Sequence, residues 1–187
     1  WYTTDGGNTW WPIDNDTTVD GSYSWTAPGE GTYGWYARAI GGGSNESAPT
    51  AGTVPEASSW VYDATPPAPF DLVSPADYEN ENQSTITVSW QNNGDALSGI
   101  DNFIVYVDGS ENTVVTDNNA TSTTLTLAEG SHTWYVVAVD RAGNRRQSTS
   151  TFHITIDLTP PTAPTLLQPE NNSYENDNTP TFRWSEP

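Results

Sequence analysis

From about residue 69 onward the chain alternates apolar and polar side chains with a period of two, in short runs broken by turn residues. That pattern predicts strands that each bury one face. A first strand is expected near 69–73. The run 84–90 places Ile86, Val88 and Trp90 on one face, and Phe103, Val105 and Val107 repeat the arrangement. Residues 123–127 offer Leu125 and Leu127, 132–138 offer His132, Trp134, Val136 and Ala138, and 152–156 offer Phe152, Ile154 and Ile156. Between the runs lie Asn92-Asn93-Gly94, Asp108-Gly109-Ser110, Asp117-Asn118-Asn119 and Ala142-Gly143-Asn144. These residue types accept positive φ or form Asx turns. About seven short antiparallel strands in about 94 residues describe a β-sandwich, with Trp90 and Trp134 pointing inward from opposing sheets.

The chain is also similar to itself. Asp63-Ala-Thr-Pro-Pro67 recurs 94 residues later as Asp157-Leu-Thr-Pro-Pro161, and Thr85, Thr87 and Trp90 match Thr179, Thr181 and Trp184 at the same spacing. Glu30-Gly-Thr-Tyr-Gly-Trp35 matches Glu129-Gly-Ser-His-Thr-Trp134 at a spacing of 99. The opening Trp1 to Gly6 aligns with Ile104 to Gly109. The expected organisation is a repeat lacking its first two strands over 1–64, a complete repeat over 65–157, and the first two strands of a further repeat over 158–187, with Pro-Pro linkers limiting hinge freedom. Two readings follow. The chain is a window on a longer tandem array, or its tail strands, carrying Leu166, Leu167, Phe182 and Trp184, complete the open sandwich of a neighbouring copy by strand addition.

Ser98-Gly99-Ile100, Tyr106-Val-Asp-Gly109, Leu127 through Asn144 and Asp157-Leu-Thr-Pro-Pro-Thr-Ala-Pro164 together resemble the immunoglobulin-like and fibronectin-III-like repeats of prokaryotic surface proteins. The resemblance implies an all-β fold of tandem seven-stranded sandwiches and an extracellular or cell-surface location. In the first copy Gly41-Gly-Gly-Ser-Asn45 replaces the Asp-x-Ala-Gly-Asn turn.

Composition narrows the function classes. Fourteen Pro, fifteen Gly and only 16% charged residues suit short strands and many turns. An aromatic share of 12%, with nine Trp, supplies the burial that a disordered chain lacks. Net charge is −19, and the five basic residues, Arg38, Arg141, Arg145, Arg146 and Arg183, are all arginine. Such a surface repels nucleic acid and anionic lipid. It suits salty or calcium-containing surroundings, where counterions screen self-repulsion. With no Cys there is no disulfide or thiol chemistry. No apolar run approaches the roughly 18 residues of a membrane span, so targeting and anchoring segments are expected outside this sequence.

Candidate chemistry is sparse. No nucleophile–base arrangement, metalloprotease motif or phosphate loop occurs, so no catalytic residue is assigned. Aligned with Tyr33, His132 is expected at a strand edge as a corner residue bonded to backbone; His153 is expected to face solvent. Asp63 and Asp157 precede the two Thr-Pro-Pro junctions and Asp140 ends the penultimate strand, so these three are candidate calcium ligands that would stiffen the joints with hard oxygen donors. The alternative is Asx turns that bond their own backbone. Asn15, Asn45, Asn82, Asn119 and Asn171 stand in glycosylation sequons, at a frequency composition alone explains. Ile104, Tyr106, Tyr135 and Val137 are expected to face outward on neighbouring strands as an apolar patch, either for lateral packing or for stacking on sugars. The functional expectation is a non-catalytic structural region of a cell-surface stalk, adhesin, S-layer-associated protein or filament. Its partners would be neighbouring repeats or copies of itself, with surface glycans second. The alternative is a carbohydrate-binding or spacer module of a secreted polysaccharide-degrading enzyme.

Overall fold

The computed structural model describes residues 1–14, 22–38, 47–55 and 57–186. Among these residues every regular element is a strand, and no helix is long and apolar enough to cross a membrane. The alternating segment forms two facing sheets. One holds β4 (Leu72–Ser74), β6 (Thr85–Trp90) and β9 (Ser122–Thr126) in the order β4-β6-β9. The other runs β5 (Glu79–Glu81), β12 (Phe152–Ile156), β10 (Gly130–Asp140), β7 (Ile100–Val107) and β8 (Ser110–Val115), with β11 (Arg145–Gln147) paired to β10 beyond β12.

The predicted inward faces are the ones that meet. Ile86, Val88, Trp90, Phe103, Val105, Val107, Leu125, Leu127, Trp134, Val136, Ala138, Ile154 and Ile156 are buried in one core cluster, with Phe152 against its rim. Trp90 and Trp134 come from opposite sheets and are 1% and 0% exposed. Each should contribute on the order of 2–3 kcal/mol through burial. Asp108 and Gly109, with φ of 49° and 76°, make the tight turn between β7 and β8. A type I′ hairpin requires positive φ at both central positions, which Asp-Gly supplies at low cost.

Three strands carry no apolar alternation and were not expected. β5 pairs in parallel with β12, β11 pairs with β10, and β8 covers the far edge of β7. The last of these corrects the outward patch. Ile104 is only 5% exposed, because its cross-strand neighbours on both sides are apolar: Val137 on β10 and Val114 on β8.

Two smaller sheets flank the sandwich in sequence. Before it, β1 (Tyr2–Thr3), β2 (Gly31–Trp35) and β3 (Ala57–Tyr62) form one sheet in the order β1-β2-β3. The pairing of β2 with β3 repeats that of β10 with β12: Gly31↔Tyr62 stands as Gly130↔Ile156, and Tyr33↔Trp60 as His132↔Ile154. β1 does not follow the sequence alignment. Tyr2 pairs with Trp35, which is the place of Val107 opposite Trp134, two residues from the aligned Val105. After the sandwich, β13 (Leu166–Gln168) and β14 (Arg183–Trp184) pair as Leu166↔Trp184 and Gln168↔Arg183. That reproduces Leu72↔Trp90 and Ser74↔Ser89 at a spacing of 94. The bonds Ser74–Pro75 and Gln168–Pro169 are both cis.

Candidate metal centre at the 63–67 junction

Three carboxylates converge where the first sheet hands over to the sandwich. Asp63 follows β3, Asp95 lies in the β6–β7 connection and Asp140 ends β10; one oxygen of each lies within 4.8 Å of the others. Asp63 and Asp140 are 7% and 1% exposed. Sequence spacing had grouped Asp63 and Asp140 with Asp157, whereas the third member of this cluster is Asp95.

Each carboxylate first organises its own loop. Asp95 Oδ1 accepts the amides of Leu97, Ser98 and Gly99 at 3.0, 2.9 and 2.9 Å. That turn lets the chain enter β7 through Gly99, whose φ is +76°. Asp140 Oδ1 accepts the amides of Ala142 and Asn144, both at 2.9 Å, closing the β10–β11 turn. Asp63 Oδ1 accepts the Thr65 amide at 3.0 Å. Its Oδ2 takes the Ser98 amide at 3.0 Å, so that one N–H is shared with Asp95. Burial is the largest influence on Asp95 and acts to raise its pKa, but the amide hydrogen bonds from Gly99, Leu97 and Ser98 together outweigh it and hold the group below its ordinary value.

The same residues lock the junction peptide. Asn144 donates from Nδ2 to the Asp63 carbonyl at 3.1 Å and to Asp140 Oδ2 at 2.9 Å. Arg146 donates from Nε to the Pro67 carbonyl at 2.9 Å. From the other side, Glu30 accepts from the Ala64 amide at 2.8 Å and from the Thr65 hydroxyl at 2.9 and 2.7 Å. The junction is therefore gripped by the first sheet through Glu30 and by the sandwich through Ser98, Asn144 and Arg146. Oxygens around one calcium ion stand about 2.3–2.6 Å from it and so up to about 5 Å from one another; the cluster has those dimensions.

Asp157 sits at the second Thr-Pro-Pro junction, in an open groove of about 620 Å³ with Asn80, Glu81, Asn82 and residues 158–161. There Thr159 donates its hydroxyl to Glu129 at 2.7 Å and its amide to Asp157 at 3.1 Å, as Thr65 does to Glu30 and Asp63.

His132 takes the corner position expected of it. Its Nε2 lies 3.1 Å from the Ala128 carbonyl, four residues back, as the Tyr33 hydroxyl bonds the Gly29 carbonyl four residues back. Its Nδ1 also meets Asp108 Oδ2 at 2.7 Å. That hydrogen bond is the main reason the imidazole pKa lies above its ordinary value and the Asp108 pKa below. His153 is half-buried, meets Asp77 at 3.0 Å and stacks on Tyr78 with centroids 4.5 Å apart.

Tyr106 and Tyr135 are half-buried and stack on each other at 4.8 Å with planes 3° apart, which occupies one face of each ring; Val137 is half-buried beside them. Leu166, Leu167, Phe182 and Trp184 are exposed, by 79%, 52%, 67% and 60%. Asn82, Asn119 and Asn171 are exposed; Asn15 and Asn45 lie outside the described residues.

Residues 70–158 match the family model described as glucodextranase, domain B, a span that coincides with the complete sandwich. This region is an immunoglobulin-like, fibronectin-III-like domain. Among solved structures, the chain is similar to the fibronectin(III)-like modules of Clostridium thermocellum CbhA at 17% identity, covering 46% of this chain and 94% of that one, with a TM-score of 0.37. It is similar to the Clostridium perfringens spore cortex lytic enzyme SleM at 17% identity, covering 48% of this chain and 28% of that one, with a TM-score of 0.38. The central fibronectin-III array of RIM-binding protein is similar at 22% identity over 57% of this chain and 42% of that one, with a TM-score of 0.39. No curated protein sequence matches the chain.

Proposed function

We propose that this chain is a stretch of non-catalytic, tandemly repeated sandwich modules, serving as a semi-rigid spacer in an extracellular stalk, adhesin, S-layer-associated protein or filament. The carrying observation is the two-sided grip on the 63–67 junction. Glu30 and Asn144 are 114 residues apart in sequence, yet both bond the same short segment. A free linker would leave those groups to water; a gripped one transmits orientation from one module to the next. The recurrence of the β4–β6 register and of the Glu–Thr contact at the second junction supports the repeat. Calcium at Asp63, Asp95 and Asp140 belongs to the same proposal, since it would screen the carboxylates against one another while tightening the joint. Small-angle scattering of the whole chain tests the spacer reading. The expected profile is that of one elongated particle, and substituting Glu30 and Asn144 together by Ala should broaden it toward a flexible ensemble. A wild-type profile already described by freely jointed modules would reject it.

A second reading is favoured by the match to a domain of glucodextranase: a spacer or sugar-binding module within a secreted polysaccharide-degrading enzyme. Sedimentation with insoluble polysaccharides, lost on Tyr135→Ala, would support it.

A further inference from the structure

Tyr78, just before β5, stands in a backbone conformation that its residue type rarely adopts. Its φ is 65°, in the left-handed region, which is costly for a bulky side chain and much less so for Asn or Gly. The fold imposes that conformation. At the matching position of the β13–β14 segment, Asn172 has a φ of 63°. There the repeat meets the same requirement with a residue suited to it, whereas the sandwich carries a tyrosine.

The ring is not part of the core, since Tyr78 is 71% exposed. One face lies flat on His153, with centroids 4.5 Å apart and planes 3° from parallel, so the exposure belongs to the other face and the ring edge. The corner beneath is fastened by hydrogen bonds. Tyr78 donates its amide to the His153 carbonyl at 2.8 Å, the His153 amide donates to Asp77 Oδ1 at 2.7 Å, and His153 Nδ1 meets the same oxygen at 3.0 Å. Glu79 Oε2 accepts the Ala76 amide at 2.7 Å. The group is peculiar to the sandwich: Asn171, Asn172 and Ser59 stand at the positions that match Asp77, Tyr78 and His153. Backbone strain over-determined by surrounding bonds, beneath an exposed side chain, is a mark of ligand-holding positions.

We infer that the open face of Tyr78 is a stacking site for one pyranose ring of a neutral oligosaccharide. The negative face of an aromatic ring attracts the weakly positive C–H groups on one side of a sugar. Asp77 Oδ2 and Glu79 Oε1, on either side of Tyr78 in the chain and exposed, are acceptors for the hydroxyls at the sugar's rim, in charge-assisted hydrogen bonds. The same carboxylates, in a chain of net charge −19, repel anionic sugars. An organic cation fits less well, because its recognition uses a cage of several rings and Tyr78 offers one open face. The inference rests on the second reading above only in that the chain binds sugar; the site differs, since Tyr135 spends a ring face on Tyr106.

Proton NMR of the whole chain, titrated to ~10 mM with maltotetraose or cellotetraose, reads the site directly. The chain has two histidines. One of the two sugars should shift the His153 ring protons saturably, while those of His132 stay in place. Tetragalacturonate and tetramethylammonium should shift neither. Tyr78→Asn should weaken sugar binding at least ~10-fold, as loss of an aromatic anchor does, and should melt at or above the wild-type temperature, because Asn suits the left-handed backbone. A merely structural ring would instead give a variant that melts lower, which overturns the inference. Binding of tetramethylammonium alone overturns it too, as does sugar binding that survives Tyr78→Asn. Sugar binding lost on Tyr135→Ala but kept in Tyr78→Asn overturns this site and leaves the second reading standing, whereas no binding of either neutral sugar overturns the site and counts against that reading as well.

Discussion

The Asn144 side chain donates to the backbone carbonyl of Asp63 at 3.1 Å, tying the β10–β11 turn to a junction 81 residues earlier. The same amide group reaches Asp140 Oδ2. Asn144→Ala removes both contacts and leaves a half-buried carbonyl and a buried carboxylate oxygen short of a donor. The expected cost is about 1–2 kcal/mol in urea unfolding of the sandwich, with a wider spread of inter-sheet orientations in scattering. An unchanged unfolding midpoint would mean the tie carries no strain-bearing role.

Trp134 and Tyr135 are chain neighbours on opposite faces of β10, and their substitutions should differ accordingly. Trp134→Ala empties a fully buried site and should cost ~3–5 kcal/mol. Tyr135→Ala loses the stack on Tyr106, a contact worth about 0.5–1.5 kcal/mol beyond area. Guanidinium unfolding of both variants checks the contrast; similar losses would contradict the layer assignment.

The His132–Asp108 pair makes stability depend on pH at two ends. The imidazole pKa is raised from its ordinary 6.5. Its contribution is therefore complete below pH 6.5 and fades as pH rises through the folded value. The Asp108 pKa is lowered from 3.8, so its contribution is complete above that pH and fades as pH falls through the folded value. Both are at full strength between about pH 4 and 6.5. Asp108→Asn should flatten the loss of stability as pH rises above 6.5. Melting temperatures of wild type and variant across that range provide the comparison, and parallel curves would rule the pair out as the source.

The strands whose inward residues alternate strictly were readable from sequence, because burial of one face imposes period two on the residue types. Ile104 was misplaced because alternation reports only which residues share a face, and the outer face of a central strand is covered by its neighbours. β5 and β11 gave no signal: Glu79-Asn80-Glu81 and Arg145-Arg146-Gln147 are polar throughout and pair at sheet edges. Aligning Tyr33 with His132 did locate a shared corner, although the ring chemistry differs. Asp95 escaped notice because in Asn-Gly-Asp-Ala-Leu-Ser-Gly it looks like any Asx-turn residue. Its approach to Asp63 and Asp140 is created only when the β6–β7 connection folds over the end of the sheet.

That placement of Asp95 yields the sharpest expectation about calcium. Three carboxylate oxygens within 4.8 Å repel one another, while the amide donors around Asp95 and Asp140 fix the loops in place regardless of charge. Asp95→Asn keeps an oxygen able to accept those amides but removes one negative charge. In EDTA the variant should melt at or slightly above the wild-type temperature, since repulsion is relieved. In calcium the order should reverse, because a cation bound to the native state at a hundredfold its dissociation constant adds about 2.7 kcal/mol. The variant loses a ligand and gains less. Magnesium should substitute poorly, since it demands shorter, near-octahedral coordination that loop-anchored carboxylates do not supply. Calorimetry of both proteins in EDTA, calcium and magnesium reads this crossover directly, and a wild-type melting temperature indifferent to calcium would leave the cluster as three turn-forming aspartates.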